Sequence, residues 1–219
     1  MKRIEMDFPE ALEVLKVMKK GKIDLCRLND IYNYTEVKWE ENIQRYIAHG
    51  TEIQYLLVGE AAPASEGEVS YFYNKCETSW CRRVTSTFFD NHCPPRRLET
   101  EGQLDGLASY GFALIDILPF AVKYSSQERD SVYYMNMIRL CAKGYFLKHI
   151  NDPRLKWGKD VKVAFAVPKT CTAAKHALGG GFTLPNNQKI EISPALIGTD
   201  GTNYPSGKVL RRIFGIDDE

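Results

Sequence analysis

Apolar runs that end in glycine or proline punctuate the chain. Ile53 to Val58 (IQYLLV) runs into Gly59, Phe112 to Leu118 (FALIDIL) stops at Pro119, and Val161 to Val167 (VKVAFAV) stops at Pro168. Each is short and mostly apolar, the pattern of a strand buried on both faces. Residues 189–197 hold the last predicted strand, interrupted by Pro194. Between these runs, apolar positions recur at helical spacing. Phe8, Leu12, Leu15 and Met18 predict a helix over 8–20, capped by Asp7 and ended by Gly21. Trp39, Ile43, Tyr46 and Ile47 predict a second over 37–48, with Gly50 past its end. Helices are also expected over 77–90, 98–109, 126–150 with a break near Gly144, 171–178 and 206–214. Thr170 is read as the cap of the 171–178 helix, and Ser206 stands near the start of the last one. Residues 91–97 (NHCPPRR) are a proline-rich break.

Apolar strands that alternate with helices predict a three-layer α/β/α sandwich with a short, mostly parallel central sheet. We expect a single domain over 1–219, in which an N-terminal helical segment, 1–50, packs on a core formed by 51–219. In such sheets ligands bind beyond the carboxyl ends of the strands. The loops after Val58, Ile117, Val167 and Ile197 therefore carry the functional information.

Composition narrows the classes. The chain has 219 residues, 44% hydrophobic and 26% charged, with a net charge of +1. That is enough apolar material for a core, and the molecule as a whole is not a polycation. Nucleic-acid binding would need a local basic patch. The first residues, MKRIEMDFPEALEVLKVMKKG, hold no apolar run of signal-peptide length, and no stretch is long enough to span a bilayer. The expected location is the cytoplasm, where the six cysteines would be reduced thiols. Cys76, Cys81 and Cys93 lie close together with His92, but their spacing does not suit an iron–sulfur cluster; buried free thiols are the expected state, with a structural zinc site the alternative, and no metal and no cofactor is expected. His49 and His149 fall near helix ends, where they would cap or face solvent, and His176 falls on a helix surface. A Gly-x-Ser-x-Gly nucleophile motif is absent.

The loop GEAAPASEG, 59–67, is the most unusual segment. Gly59 permits a sharp turn, and Ala61, Ala62 and Ala64 let a ligand approach the backbone. Glu60 supplies an acceptor, and Tyr71-Phe72-Tyr73 a stacking face for a flat base. The same residues also suit a tight turn with the aromatics packed inward, which they favour slightly when read alone. Asp116 is embedded in ALIDILPF. A carboxylate there needs hydrogen bonds, either to a loop backbone or to a ligand amide. In GTDGTNYPSGKVLRRIFG, Ser206 with Lys208, Arg211 and Arg212 could hold a phosphate at a helix start, and a capped, solvated helix is the plainer reading. Arg82-Arg83 and Arg96-Arg97 are solvated pairs, or a DNA-facing patch if they share a mouth with Lys208 and Arg211.

Taken in order, these segments resemble the motifs of the uracil-DNA glycosylase superfamily. Leu57-Val58-Gly59-Glu60-Ala61-Ala62-Pro63 is similar to its first motif, in the form closest to the thermophile-type branch. Phe72, or Tyr71 beside it, matches the aromatic that stacks on the flipped base. Asp116 stands where the family places the Asn or Asp that reads the base edge. The stretch VKVAFAVPKTCTAAKHAL matches the strand and helix before the last motif, and Asn203-Tyr204-Pro205-Ser206 is similar to the family's His-Pro-Ser. The likeness spans residues 53–214. Two positions depart from the pattern. Ala61 stands where the best-known branch has a water-positioning Asp, and Tyr204 replaces the His that stabilises the departing base.

The resemblance implies hydrolysis of the N-glycosidic bond of uracil or another damaged base in DNA, by a monomer that acts on a single strand or a flipped base. Gly59, Tyr71, Phe72 and Asp116 would bind the base. Tyr204 would donate to the leaving base, and the backbone near Glu60 and Ala61 would help read its edge. Glu60, Glu66 or Glu68 would hold water. Pro205, Ser206, Lys208 and Arg211 would bind the DNA backbone. Two further readings stay open: a base- or nucleic-acid-binding relative without turnover, which the two replaced groups favour, and a small-molecule hydrolase or transferase on the same scaffold.

Overall fold

The structure is a computed structural model that describes residues 3–64, 71–74, 79–89, 100–201 and 204–216. It is a mixed α/β fold. Helices α1 (Ile4–Asp7), α2 (Pro9–Met18) and α3 (Leu25–His49) precede strand β1 (Ile53–Gly59). Helices α4 (Ser79–Thr85) and α5 (Thr100–Ser109) lead to β2 (Phe112–Asp116). Then come α6 (Ser126–Arg129), α7 (Val132–Cys141), a π-helical turn (Ala142–Phe146) and α8 (Leu147–Ile150). Strand β3 (Trp157–Phe165) is followed by α9 (Pro168–Ala177), the strands β4 (Gly181–Thr183) and β5 (Lys189–Glu191), and α10 (Gly207–Phe214).

Among the described residues β1, β2 and β3 form one parallel sheet in the order β2-β1-β3. The register pairs Tyr55 with Phe112, Leu57 with Leu114, and Gly59 with Asp116. On the other side Leu57 pairs with Ala164 and Val58 with Phe165. Side chains alternate along a strand, so Tyr55, Leu57 and Gly59 share a face with Phe112, Leu114 and Asp116. That face is covered by aromatics. Phe88 and Phe214 each pack on Tyr55 at 5.3 Å, and Phe72 packs on Phe112 at 5.9 Å.

The free edge of β2 is closed by tyrosines. The Tyr46 hydroxyl donates to the Phe112 carbonyl at 2.6 Å. The Tyr73 hydroxyl accepts from the Leu114 N–H at 2.7 Å and donates to the Leu114 carbonyl at 3.0 Å. The two phenols pair backbone groups that a further strand would otherwise take. Tyr46 comes from α3, so this helix lies along the edge of β2 and packs on α5, whereas α2 packs on α7.

Several boundaries differ from the sequence reading. Helix α3 starts at Leu25, a full twelve residues before the predicted Val37, with Asp24 as its N-cap. Its buried stripe includes Tyr32, Thr35 and Asn42, which a purely apolar pattern does not count. It ends at Gly50, whose φ of 64° is left-handed. Asp7 does not cap α2, because Phe8 occupies that position and the Asp7 carboxylate accepts from the Tyr32 hydroxyl at 2.9 Å. Thr170 does not cap α9 either, since Val167 holds the cap position and Pro168 opens the helix. The predicted strand over 189–197 is divided. Lys189–Glu191 pairs antiparallel with Gly181–Thr183, and only Ile197 makes a parallel bridge, to Phe165. Pro194 has no N–H for a ladder and opens a 3-10 turn there instead.

Candidate functional site

A cavity of about 580 Å³ opens at the carboxyl ends of β1 and β2. Gly59, Leu114 and Asp116 form one part of it, and the turn from Glu60 to Ala64 another. Tyr71, Phe72, Trp80 and Cys81 line one side, and Val122, Lys123, Tyr124 and Arg129 another. Ala166, Val167 and Tyr204 complete the lining. The predicted residues Gly59, Glu60, Ala61, Tyr71, Phe72, Asp116 and Tyr204, from remote stretches of sequence, thus border one space.

Asp116 is the chemically distinctive group. It is 8% exposed, and its carboxylate has no hydrogen-bond partner among the described residues. Burial, and next the charge of Glu60, push its pKa from 3.8 up to about 7. It lies over Gly59, where a Cβ would stand 1.9 Å from its Oδ1. Gly59 is therefore required by close approach and not by an unusual φ.

Glu60 follows Gly59, so alternation turns it to the opposite side of the sheet, toward α6, α7 and α9. The Arg129 guanidinium holds its carboxylate in a fork, with Nε at 2.6 Å and Nη2 at 2.5 Å. The Tyr134 hydroxyl donates to it at 2.6 Å, and the Thr170 hydroxyl lies 3.5 Å away. Here Thr170 finds its role, as its hydroxyl is also 2.8 Å from that of Tyr134. Burial and the Glu60 charge raise the Tyr134 pKa, so the phenol keeps its proton. Three close donors hold the Glu60 carboxylate in place, and a water could reach only its remaining acceptor site on Oε2. Glu66 and Glu68 lie outside the described residues.

The aromatics are committed to packing as well as to the pocket. Phe72 is 4% exposed and meets Tyr73 at 5.1 Å and Trp80 at 5.9 Å, both edge-on. Burial raises the Tyr71 pKa well above the usual phenol value, so it too stays neutral. Both readings of this run hold at once: the rings pack inward, and Tyr71, Phe72 and Trp80 still border the cavity. Tyr204 is 54% exposed at the rim, with the Arg83 guanidinium 5.7 Å from the centre of its ring. Ala61 offers no functional group in the position of the family's Asp.

Of the predicted phosphate-binding residues, Pro205, Ser206, Lys208 and Arg211, none lines the cavity. Pro205 is buried and bridges Thr199. The Ser206 side chain makes no capping bond to α10, and its N–H donates to the Gly198 carbonyl at 2.9 Å. Arg211 reaches the Thr87 carbonyl at 3.3 Å. The start of α10 abuts the end of α4, since a Cβ at Gly207 would stand 2.6 Å from the Ser86 hydroxyl and 3.2 Å from the Arg83 carbonyl. Lys208 is exposed.

Other expectations fall elsewhere. His149 is a buried group, not a solvated cap. Its Nδ1 lies 2.9 Å from the Tyr145 carbonyl and its Nε2 3.0 Å from Glu36. His176 is exposed on α9. Cys81 is buried, whereas Cys76, Cys93, His92, Asn203, Arg96 and Arg97 lie outside the described residues. Sequence reasoning missed Arg129, Lys123, Tyr124 and Trp80 as pocket residues. The capping box that positions α6, Ser125 with Glu128, was legible and would have placed Arg129 on an ordered turn. Among the described residues no helix is long and apolar enough to cross a membrane. No family model, no curated protein and no solved structure matches the chain.

Proposed function

We propose that this protein is a DNA glycosylase of the uracil-DNA glycosylase type, which binds a flipped nucleobase in the cavity and hydrolyses its N-glycosidic bond. The observation that carries this reading is the convergence of Gly59, Phe72, Asp116 and Tyr204 on one space of about 580 Å³ beyond the carboxyl ends of β1 and β2. The size suits a small-molecule pocket, and aromatic walls with few polar groups suit a flat heterocycle. A parallel sheet in the order β2-β1-β3, with Ile197 bridging outside β3, supports the corresponding three-layer α/β/α sandwich.

In this reading Phe72 and Tyr71 wall the base. Asp116, with a pKa near 7, exists in both protonation states at neutral pH. It can donate to a base carbonyl when protonated and accept from a base N–H when ionised. The bond between C1′ and the base nitrogen breaks, water supplies a hydroxyl to C1′, and its remaining proton goes to the base. Tyr204 and Lys123 line the same space and favour the negative charge that develops on the leaving base, while Glu60 holds the Arg129 charge.

A second reading, base binding without turnover, is favoured by one observation: Arg129 and Tyr134 already occupy the Glu60 carboxylate. One experiment separates the two. Oligonucleotides carrying uracil, hypoxanthine or mismatches are incubated with excess protein, and abasic sites are revealed by alkaline cleavage. Product with one of them, lost in Asp116→Ala, supports the glycosylase. Lesion-dependent binding without product supports the second reading. Neither product nor binding removes both.

A further inference from the structure

A second cavity, of about 300 Å³, adjoins the first. The two share Ala64, Val122 and Lys123 in their linings, so they adjoin along the 121–123 segment. The second lies between the turn joining α2 to α3 and the 121–123 segment. Its lining carries four cations, Lys19, Lys22, Arg27 and Lys123, against one acid, Asp24, with Glu128 paired to Lys19 beside it. In a chain of net charge +1 this is a local concentration of positive charge.

These groups divide by role. Lys19 holds the groove together. Its ammonium donates to the Lys123 carbonyl at 2.5 Å and to Glu128 at 2.8 Å, and it lies 5.2 Å from the centre of the Tyr124 ring. It thereby ties the end of α2 to the wall of the base pocket. Asp24 is turned to α3, where its carboxylate accepts the Arg27 backbone N–H at 3.0 Å. Lys22 and Lys123 are exposed, with no ion-pair partner among the described residues. Lys123 borders both cavities, and so stands where a base in one would meet its own phosphates in the other.

We propose that this groove is the track for the phosphodiester backbone of single-stranded DNA, with Lys22 and Lys123 as its phosphate contacts. The inference rests on the base-pocket reading, since it assigns the adjoining groove to the strand that carries the base. It also moves the backbone contact away from Ser206, Lys208 and Arg211, which do not border the pocket. The groove is small, about 300 Å³, and lies beside the pocket, which suits one strand better than the broad face of a duplex. Its positive charge is the sequence-independent term of strand binding.

The test is fluorescence anisotropy with a labelled oligo-dT strand, across a salt series, on the full chain. Lys22→Glu/Lys123→Glu should weaken binding at least tenfold. It should also reduce the slope of log affinity against log salt by about 1.4, two contacts at roughly 0.7 each. The control Lys143→Glu/Lys148→Glu, which removes as much charge from exposed positions elsewhere, should stay near wild type. Circular dichroism checks that both variants are folded. Unchanged affinity in Lys22→Glu/Lys123→Glu, or equal losses in the two variants, overturns the track. Tighter binding to duplex than to single strand, or a free deoxynucleotide monophosphate binding as tightly as the strand, overturns the choice of ligand. An abasic strand separates this inference from the one beneath it. If it binds as tightly as the intact strand and still depends on Lys22 and Lys123, the groove stands and the base pocket falls.

Discussion

Asp116 and Gly59 are cross-strand partners at the ends of β2 and β1, and a Cβ on the glycine would lie 1.9 Å from the Asp116 Oδ1 and 3.1 Å from its Cγ. The buried carboxyl therefore occupies the space that any other residue at position 59 would need. Gly59→Ala must push the carboxyl from its place. The expected loss is about 1–3 kcal/mol of stability, the usual cost of an added carbon in a packed site. Urea denaturation measures it, and an unchanged midpoint would show that the carboxyl moves freely.

The raised pKa of Asp116 makes stability depend on pH. Its folded value is about 7 against an ordinary 3.8, so between these values the folded chain holds a proton that the unfolded chain has released. Stability from this group is fully present below about pH 4 and is lost as pH rises through about 7. The loss is at most roughly 4 kcal/mol, at 1.36 kcal/mol per pKa unit. Asp116→Asn removes the dependence, so its stability relative to wild type should be higher at pH 8 than at pH 5. Denaturation midpoints at the two values test this. A relative stability that does not change with pH would rule out the shift.

The Glu60–Arg129 pair is nearly buried, with side chains 10% and 18% exposed. Arg129→Met leaves the carboxylate with only hydroxyl partners and should cost about 3–5 kcal/mol. Glu60→Gln should cost stability as well, and it has a second effect. The Glu60 charge raises the Asp116 pKa, so its removal should lower that pKa. Carboxyl carbon chemical shifts followed by NMR titration read the change. An upward move would exclude the coupling.

Tyr73 and Tyr46 protect the open side of β2 unequally. Tyr73→Phe leaves the Leu114 N–H without its acceptor and should cost about 1–3 kcal/mol. Tyr46→Phe removes a donor to the Phe112 carbonyl and leaves the buried Asn42 amide without its acceptor, so its cost should fall in the same range. Amide hydrogen exchange gives the local readout, with Leu114 exchanging faster in Tyr73→Phe than in Tyr46→Phe.

The strands were readable because buried parallel strands are short, unbroken and apolar, as Leu56 to Val58 and Phe112 to Ile115 are. The start of α3 was not, because its hidden stripe mixes Tyr32, Thr35 and Asn42 with leucine and isoleucine, and these hydrogen-bond inside the protein. The last strand was overread. Apolar residues after Pro194 imply burial, but a ladder also needs backbone groups that proline does not supply.

The order of loops along the chain pointed to Gly59, Asp116 and Tyr204 as pocket candidates, since strand-end residues in a parallel sheet share one edge. Nothing local marked Arg129 as the partner of Glu60 or joined Lys22 to Lys123. Those pairs are separated by long stretches of sequence, and an ion pair or a groove depends on distance in space. Linear order sets which face a strand residue takes, by alternation. Which helix arrives against that face, and with which charge, was decided only when α3, α6 and the 121–123 segment packed around the sheet.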